Sequence, residues 1–488
     1  MREPLGGQLE LLSRNALDKI HGATLEVLQR KGIKVWDPAA RGLFRDAGAD
    51  VDDRSLMVRI SESLLKETIR KAPSEFIMYG RDPKYKLRFG GNYVHFGVSG
   101  LAVRVHDLDG RVRPGTLKDV GSLAKLADAC DNIHNVIMMV TPSDVPPNLF
   151  HLRVMWEDWK NSIKTTDGWN YTGKQAMETV EMASILRGSS DELVRKPCLL
   201  GFNNPVSPLQ LSKELAEGAI VYAKYGQPMI FASEALAGAT APATLAGLLV
   251  QQNAEVLSGI MVSELANPGA PVMYGTVSAA MDMRTGSAAL GGPEVALINI
   301  ASGQLGRYYN LPRRGTGGNS DSKLVDAQAA LETSTNMLVA ALAGMNFIYD
   351  ACGSLEGSLT ISYEKLVLDD EIAGMVTRIL DGIDVNDQTL AVDDICRVGP
   401  SASFLASPLT LASFKKEIFI PSLLDRRSRD SWSREGSKDI ARAAREKAAR
   451  LLKDHEVEPI DRNVAKEIET YLKSVEKSSK TTKKRLSK

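Results

Sequence analysis

From about residue 94 onward the chain repeats one alternation, and this limits its possible folds more than any other feature. Short apolar runs end in polar or glycine-rich motifs, and a stretch of helical periodicity follows most of them. The runs are VHFGVS (94–99), VIMMV (136–140), SIKTT (162–166), CLLGF (198–202), MIFAS (229–233), VMYG (272–275), LPRRG (311–315) and FIYDA (347–351). Helical patterns such as LQLSKELAEGAIVYAKYG fill the gaps. Alternating strand and helix predicts an α/β fold with a parallel sheet covered by helices. Eight units predict a closed (β/α)8 TIM barrel over 91–426, with an open doubly wound sheet as the competing architecture.

The flanks read differently. Residues 1–90 are expected to form a helical extension. It contains LDKIHGATLEVLQRKGI with Gly32 at its stop, then RISESLLKETIRKAP with Ser61 as N-cap and Pro73 as terminator. A short hairpin follows in FIMYGRDPKYKLRFGG. Residues 427–473 are expected to be C-terminal helices, and the basic stretch 474–488 a disordered tail.

Composition excludes several functions. Sixty basic and sixty acidic side chains give no net charge, which argues against a nucleic-acid binder. No window approaches 18 consecutive apolar residues, and the first residues lack a signal-peptide pattern. Cys130, Cys198, Cys352 and Cys396 form no CxxC pair, so neither a disulfide framework nor a zinc knuckle is expected. A cytoplasmic, reduced setting is the expectation. Large barrels with long extensions commonly oligomerise, so a homo-oligomer is expected too.

HExxH, GxSxG, P-loop and GxGxxG motifs are absent, as is the D-x-H-x-x-G signature of a cobalamin-binding domain. An enzyme of this kind would take its reactive group from outside the chain. A barrel places its site at the strand C-terminal ends. Those ends offer His95, Ser99, Asp144, Asp167, Asn204, Glu234, Tyr274, Thr276, Arg313, Arg314, Tyr349 and Asp350. Tyr93, Phe96, Trp156, Trp159, Trp169 and Tyr171 lie nearby in sequence. Aromatics with carboxylates suit a permanent cation, because a ring face attracts positive charge. Helix packing is the competing reading for Trp156 and Trp159. An arginine fork pairs with a carboxylate, and strand alternation turns one of Arg313 and Arg314 toward the mouth. An ion pair with Asp321 or Asp326 is the alternative for these arginines. His95 and His106 are open between core, surface and catalytic roles. No metal site is expected.

A set of segments then carries a family resemblance. They are GRDP (80–83), VRVHDLDGRVRPGTLKDV, PSDVPP (142–147), NPVSPL (204–209), GATAPATLAG (238–247), ANPGAPVMYG (266–275), LPRRGTGGNSDSKLVDAQAALE (311–332) and GSLEGSLTISYEKLVLDDEI (353–372). In order and extent the chain resembles the trimethylamine methyltransferase (MttB-like) superfamily. The resemblance implies a TIM barrel and transfer of a methyl group from a methylated amine to the Co(I) corrinoid of a separate protein. That partner, docking at the barrel mouth, carries the cobalamin, and this chain binds none. All positions are standard residues, so the chain resembles the non-pyrrolysine branch, whose members use glycine betaine, proline betaine or carnitine. Members often have His where this chain has Tyr349, which implies a pocket that differs at the substrate.

On this reading a tertiary amine leaves a quaternary nitrogen already neutral, so no general acid is needed. The chain's task is to desolvate, orient and clamp. The candidate substrate-binding set is Arg313, Arg314, Tyr349, Asp350, Glu234, Trp169, Tyr171, Tyr93, His95, Phe96 and Tyr274. A sulfonium or tertiary amine donor, or a non-catalytic methylamine-binding role, are the alternatives.

Overall fold

The computed structural model describes residues 4–486, with side chains as far as residue 478. Eight parallel strands close into a barrel in sequence order: β1 His95–Val98, β2 Asn135–Val136, β3 Thr165–Asp167, β4 Leu199–Asn203, β5 Met229–Ser233, β6 Val272–Thr276, β7 Arg313–Thr316 and β8 Phe347–Cys352. β8 returns to β1 through Phe347↔His95 and Ile348↔Phe96, which excludes the open sheet. Every strand overlaps one of the eight apolar runs. The main displacements are in β2, which ends at Val136, four residues before its run does, and in β3, which begins three residues late. Ser162 Oγ donates to Asp128, and buried Lys164 donates to the carbonyls of Ala127 and Cys130, so this stretch seals a helix end before pairing starts.

A helix follows each strand: α1 Leu117–Asp128, α2 Phe150–Asn161, α3 Gly173–Arg187, α4 Lys213–Lys224, α5 Leu245–Ala266, α6 Pro293–Tyr308, α7 Ala327–Leu342 and α8 Tyr363–Leu380. Their starts are fixed locally. Thr116 and Asp119 form a reciprocal capping box on α1, and Ser212, Asp326 and Ser362 cap α4, α7 and α8. By length and composition α5 could cross a membrane, but most of it is buried in the fold, including Gln252, Asn253 and Glu255.

The N-terminal segment contains helix Arg14–Arg30, packed on α5, and helix Glu62–Ile69 with Ser61 as its cap. It also holds strands Ile33–Val35, Asp50–Asp52 and Met57–Arg59, which join Gln210–Leu211 in a small sheet that helical periodicity did not signal. The hairpin Glu75–Tyr79/Lys86–Gly90 lies against the N-terminal end of the barrel, where Phe89 meets His95 and Phe347. The barrel's last helix ends at Leu380, well before 426. Beyond it come the short exposed helices Val392–Val398, Pro408–Glu417 and Arg429–Arg434. Ile440–Asp454 then packs on α8 and α1. The final helix Arg462–Leu486 runs through most of the expected disordered tail, because Ile468, Leu472 and Val475 form a buried stripe facing α3. Residues 487 and 488 lie outside the described residues.

Two small sheets rise from the loops at the strand C-terminal ends. One joins Arg104–His106 and Val112–Pro114 to Ser354–Leu355 and Thr360–Ser362. The other joins Leu236–Ala237, Ala279–Asp282 and Ser287–Ala289. They wall the barrel mouth and deepen it.

Candidate functional site

The mouth encloses a cavity of about 670 Å³. Its centre is Arg314, whose position follows from strand register. β6 and β7 pair with Tyr274 opposite Arg313 and Gly275 opposite Arg314. Neighbours in register leave a sheet on the same side. Tyr274 and Arg313 therefore both point outward, and Arg314 points in. Its guanidinium is buried, lies 4.5 Å from the Tyr349 ring centre, and donates through Nη1 to the Thr276 carbonyl at 2.7 Å. Nη2 stands 3.6 Å from Asp350 Oδ2, longer than a hydrogen bond, and Nε has no partner among the described residues. The Nε–Nη2 edge is the one with which arginine grips a carboxylate in two parallel bonds.

Four carboxylates share this cavity with the one arginine: Asp158, Asp167, Glu234 and Asp350. Burial pushes the Asp350 carboxyl up to about 6, against the pull of Arg314. Burial also raises Glu234, which accepts from Asn204 Nδ2, and lifts Asp158 and Asp167 well above the usual carboxylate range. Asp158 Oδ1 and Asp167 Oδ1 have no hydrogen-bond partner among the described residues. A low-dielectric site holds such groups toward neutrality, and a cation placed among them favours their charged form.

The aromatic lining has two parts. Phe202 and Tyr349 meet with ring centres 4.8 Å apart on the Arg314 side. Trp169 and Tyr171 form an open corner 6.5 Å across, backed by the edge of Phe150 on Trp169. Such a corner suits a methylated ammonium group.

The backbone at Asp350 is unusual. Its φ is +52°, inside a register shift of β8 against β1. Aspartate tolerates this left-handed conformation better than most residues. The Gly318 N–H donates to the Asp350 carbonyl at 2.6 Å, and a Cβ at 318 would sit 1.9 Å from the Ala351 carbonyl oxygen. Glycine at 318 is what allows this close approach and so helps hold Asp350 in place.

Of the expected residues, the cavity gathers Arg314, Tyr349, Asp350, Glu234, Trp169 and Tyr171. Five lie elsewhere. Arg313 bonds the carbonyls of Gly344 and Gly91 outside the barrel. Tyr274 donates to Asn253 on α5. Tyr93 stacks under Arg88. His95 bonds the Arg88 carbonyl at the start of β1, and burial lowers its pKa to about 4. Phe96 stacks on His134 in the core. His95 and Phe96 open their strand, whereas the mouth lies beyond its far end. Among the earlier alternatives, Trp156 and Trp159 are buried on α2, and His106 faces Ser362. The alternative pairing of these arginines with Asp321 or Asp326 does not occur: Asp321 accepts from Gly291, and Asp326 caps α7. Sequence reasoning missed Asp158, His151 and Phe202. A helix-borne carboxylate such as Asp158 carries no signal at a strand end, while Phe202 sat unread inside a marked strand.

A family model described as trimethylamine methyltransferase matches residues 4–479. The chain is 38% identical over 426 residues to a glycine betaine methyltransferase of Desulfitobacterium hafniense (strain Y51), covering 87% of this chain and 88% of that one. It is 36% identical over 475 residues to a trimethylamine methyltransferase MttB of Methanosarcina thermophila, covering 95% and 97%. A trimethylamine methyltransferase MttB of Desulfitobacterium hafniense (strain DSM 10664 / DCB-2) is 35% identical over 465 residues, covering 95% and 93%.

Proposed function

This chain belongs to the trimethylamine methyltransferase family, and from that premise we propose that its methyl donor is a quaternary amine bearing a carboxylate. The chain is a methyltransferase that moves a methyl group from a methylated amine to a corrinoid protein. The observation that carries the choice of donor is the buried Nε–Nη2 edge of Arg314, which makes no hydrogen bond among the described residues and is set within a cavity of aromatics and carboxylates.

In this reading Arg314 grips the donor's carboxylate and fixes its orientation. Trp169 and Tyr171 surround the ammonium, and Asp350 and Glu234 balance its charge. The partner's corrinoid supplies the Co(I) nucleophile. A cavity of about 670 Å³ suits a small amine and not a corrinoid macrocycle. The partner therefore presents its corrinoid at the rim, where Leu101 and Leu359 are half-exposed. The donor nitrogen loses its positive charge as the methyl leaves, and a dry wall favours that change more than water does. A cage that held the cation too tightly would slow the step, because only differential binding of the transition state raises the rate. The open aromatic corner fits that requirement better than a closed cage. A cytoplasmic setting belongs to the same proposal and fits four unpaired cysteines.

One observation favours a second reading. Asp350 already stands beside Arg314, so the guanidinium has an internal counter-ion and a carboxylate-free donor, a sulfonium or tertiary amine, would also be accommodated. Thermal-shift screening separates the two, using glycine betaine, carnitine, proline betaine, choline, dimethylsulfoniopropionate and trimethylamine. A ligand at 100 times its Kd adds about 2.7 kcal/mol of stability. Shifts with the carboxylated quaternary amines but not with choline or trimethylamine support the clamp. The reverse pattern supports the second reading.

A further inference from the structure

Between α8 and the helix Ile440–Asp454 the chain makes an out-and-back excursion. It leaves at Asp381 and returns beside α8 near residue 418. Its two ends are tied together at the root. Arg378 donates to the Glu417 carbonyl at 2.9 Å, Lys416 lies 3.5 Å from Asp384, and Ser422 N–H donates to Glu371 at 2.9 Å. The root sits beside Asn132 in the connection from α1 to β2, where Gly374 and Phe419 meet it. That connection lies on the barrel face opposite the mouth.

The excursion has no core of its own. From 381 to 420 only Ser407 is buried. Ten large apolar side chains in this span are exposed, among them Ile383 at 85%, Val385 at 71%, Leu405 at 89% and Leu411 at 75%. A fully exposed side chain of this kind offers on the order of 100–150 Å², so together they present roughly 600–900 Å² of apolar surface. That exceeds what most monomers leave uncovered and matches the roughly 800 Å² per partner of a stable interface. Its helices span seven and ten residues, lengths at which an isolated helix is marginal in water.

We propose that this arm docks on a second copy of the chain and is the principal contact of a permanent homo-oligomer. Two observations favour a second copy over the corrinoid protein. The arm is rooted on the face away from the cavity, whereas a corrinoid carrier has to reach the mouth. Nine of its ten exposed large apolar side chains are aliphatic, Phe404 being the exception, and Phe414 and Phe419 are only half-buried; this is the character of a permanent interface more than a transient one rich in Tyr, Trp and Arg. A carrier that receives a methyl group must also leave to deliver it, and so cannot keep the arm covered.

The test is sedimentation velocity of the full chain beside the triple variant Ile383→Asp, Leu405→Asp, Leu411→Asp, with circular dichroism as the check on folding. The wild type is expected at a multiple of 53.0 kDa, and the variant at a single 53.0 kDa chain with unchanged helix content. Hydrogen exchange of the unaltered protein gives an independent reading: amides of 392–417 should be at least tenfold more protected at high protein concentration than after dilution below the dissociation constant of the oligomer. A wild type that stays monomeric at tens of micromolar overturns the proposal. So does an unchanged mass in the folded variant, or arm protection that appears only when the corrinoid protein is added.

Discussion

Replacing Arg314 by Met separates the carboxylate clamp from everything else the cavity does. Methionine keeps an unbranched apolar stem against Phe202 and Tyr349 but removes the charge and all donors. The free Nε–Nη2 edge would give a donor carboxylate two charge-assisted hydrogen bonds. At the low end of about 1.5 kcal/mol each, the loss is about 3 kcal/mol, or roughly 100–200-fold in Kd. The cost to the fold should be smaller. The Thr276 carbonyl loses its donor, about 1–3 kcal/mol, while a buried cation that the site had to desolvate is gone. Isothermal titration of wild type and variant with glycine betaine and with choline reads the effect, and the Tm of each serves as control. Glycine betaine should weaken by roughly 100-fold or more, whereas choline, which has no carboxylate, should change by less than about threefold. An equal loss for both ligands, or a glycine betaine loss under about fivefold, refutes the clamp.

Four other outcomes follow from the same geometry. Burial raises Asp350 to about 6, so its neutral form is favoured at low pH and a bound cation favours the ionised form; donor affinity should rise as pH climbs through about 6 and level off above it, and Asp350→Asn should flatten that profile in titrations from pH 5 to 8. Trp169→Ala removes half of the aromatic corner and should cost trimethylammonium donors about 1–2 kcal/mol, with or without a carboxylate, as measured by Kd. Lys365→Met strands Asp369 in the core without its 2.7 Å partner and should lower urea stability by about 3–5 kcal/mol at neutral pH. That loss should shrink toward acid, because Asp369, already pushed up to about 6 with Lys365 present, then takes a proton. Gly318→Ala drives a methyl group into the Ala351 carbonyl and should cost at least about 1–3 kcal/mol in chemical denaturation.

The barrel was legible because each strand is a short apolar run buried on both faces, and nothing else in the chain repeats that texture eight times. Boundaries blurred where side chains had other tasks, as at Ser162 and Lys164, which seal the end of α1. Alternation required one of Arg313 and Arg314 to face inward, but only the register with Tyr274 and Gly275 decided which. Glu234 could be read because it follows directly on the end of β5, and Tyr349 and Asp350 because they lie late in the marked run 347–351, although β8 continues to Cys352. His95 and Phe96 misled because they lie in the first half of the marked run 94–99, and the useful end of β1 lies at Ser99 and Gly100. Asp158 was invisible, since one face of α2 turns a carboxylate into the cavity while the rest of the helix reads as packing. The three small strands near the N-terminus were missed because each is too short to show alternation of its own.

The most direct test of the central claim is a methyl-transfer assay with a reduced corrinoid protein, following the absorbance change as Co(I) becomes methyl-Co(III). The account predicts methylated corrinoid with a carboxylated quaternary amine, in amounts that track added enzyme, and at least tenfold less with choline or trimethylamine at equal concentration. Equal or greater methylation from the carboxylate-free amines, or none from any quaternary amine with an active corrinoid partner present, would contradict it.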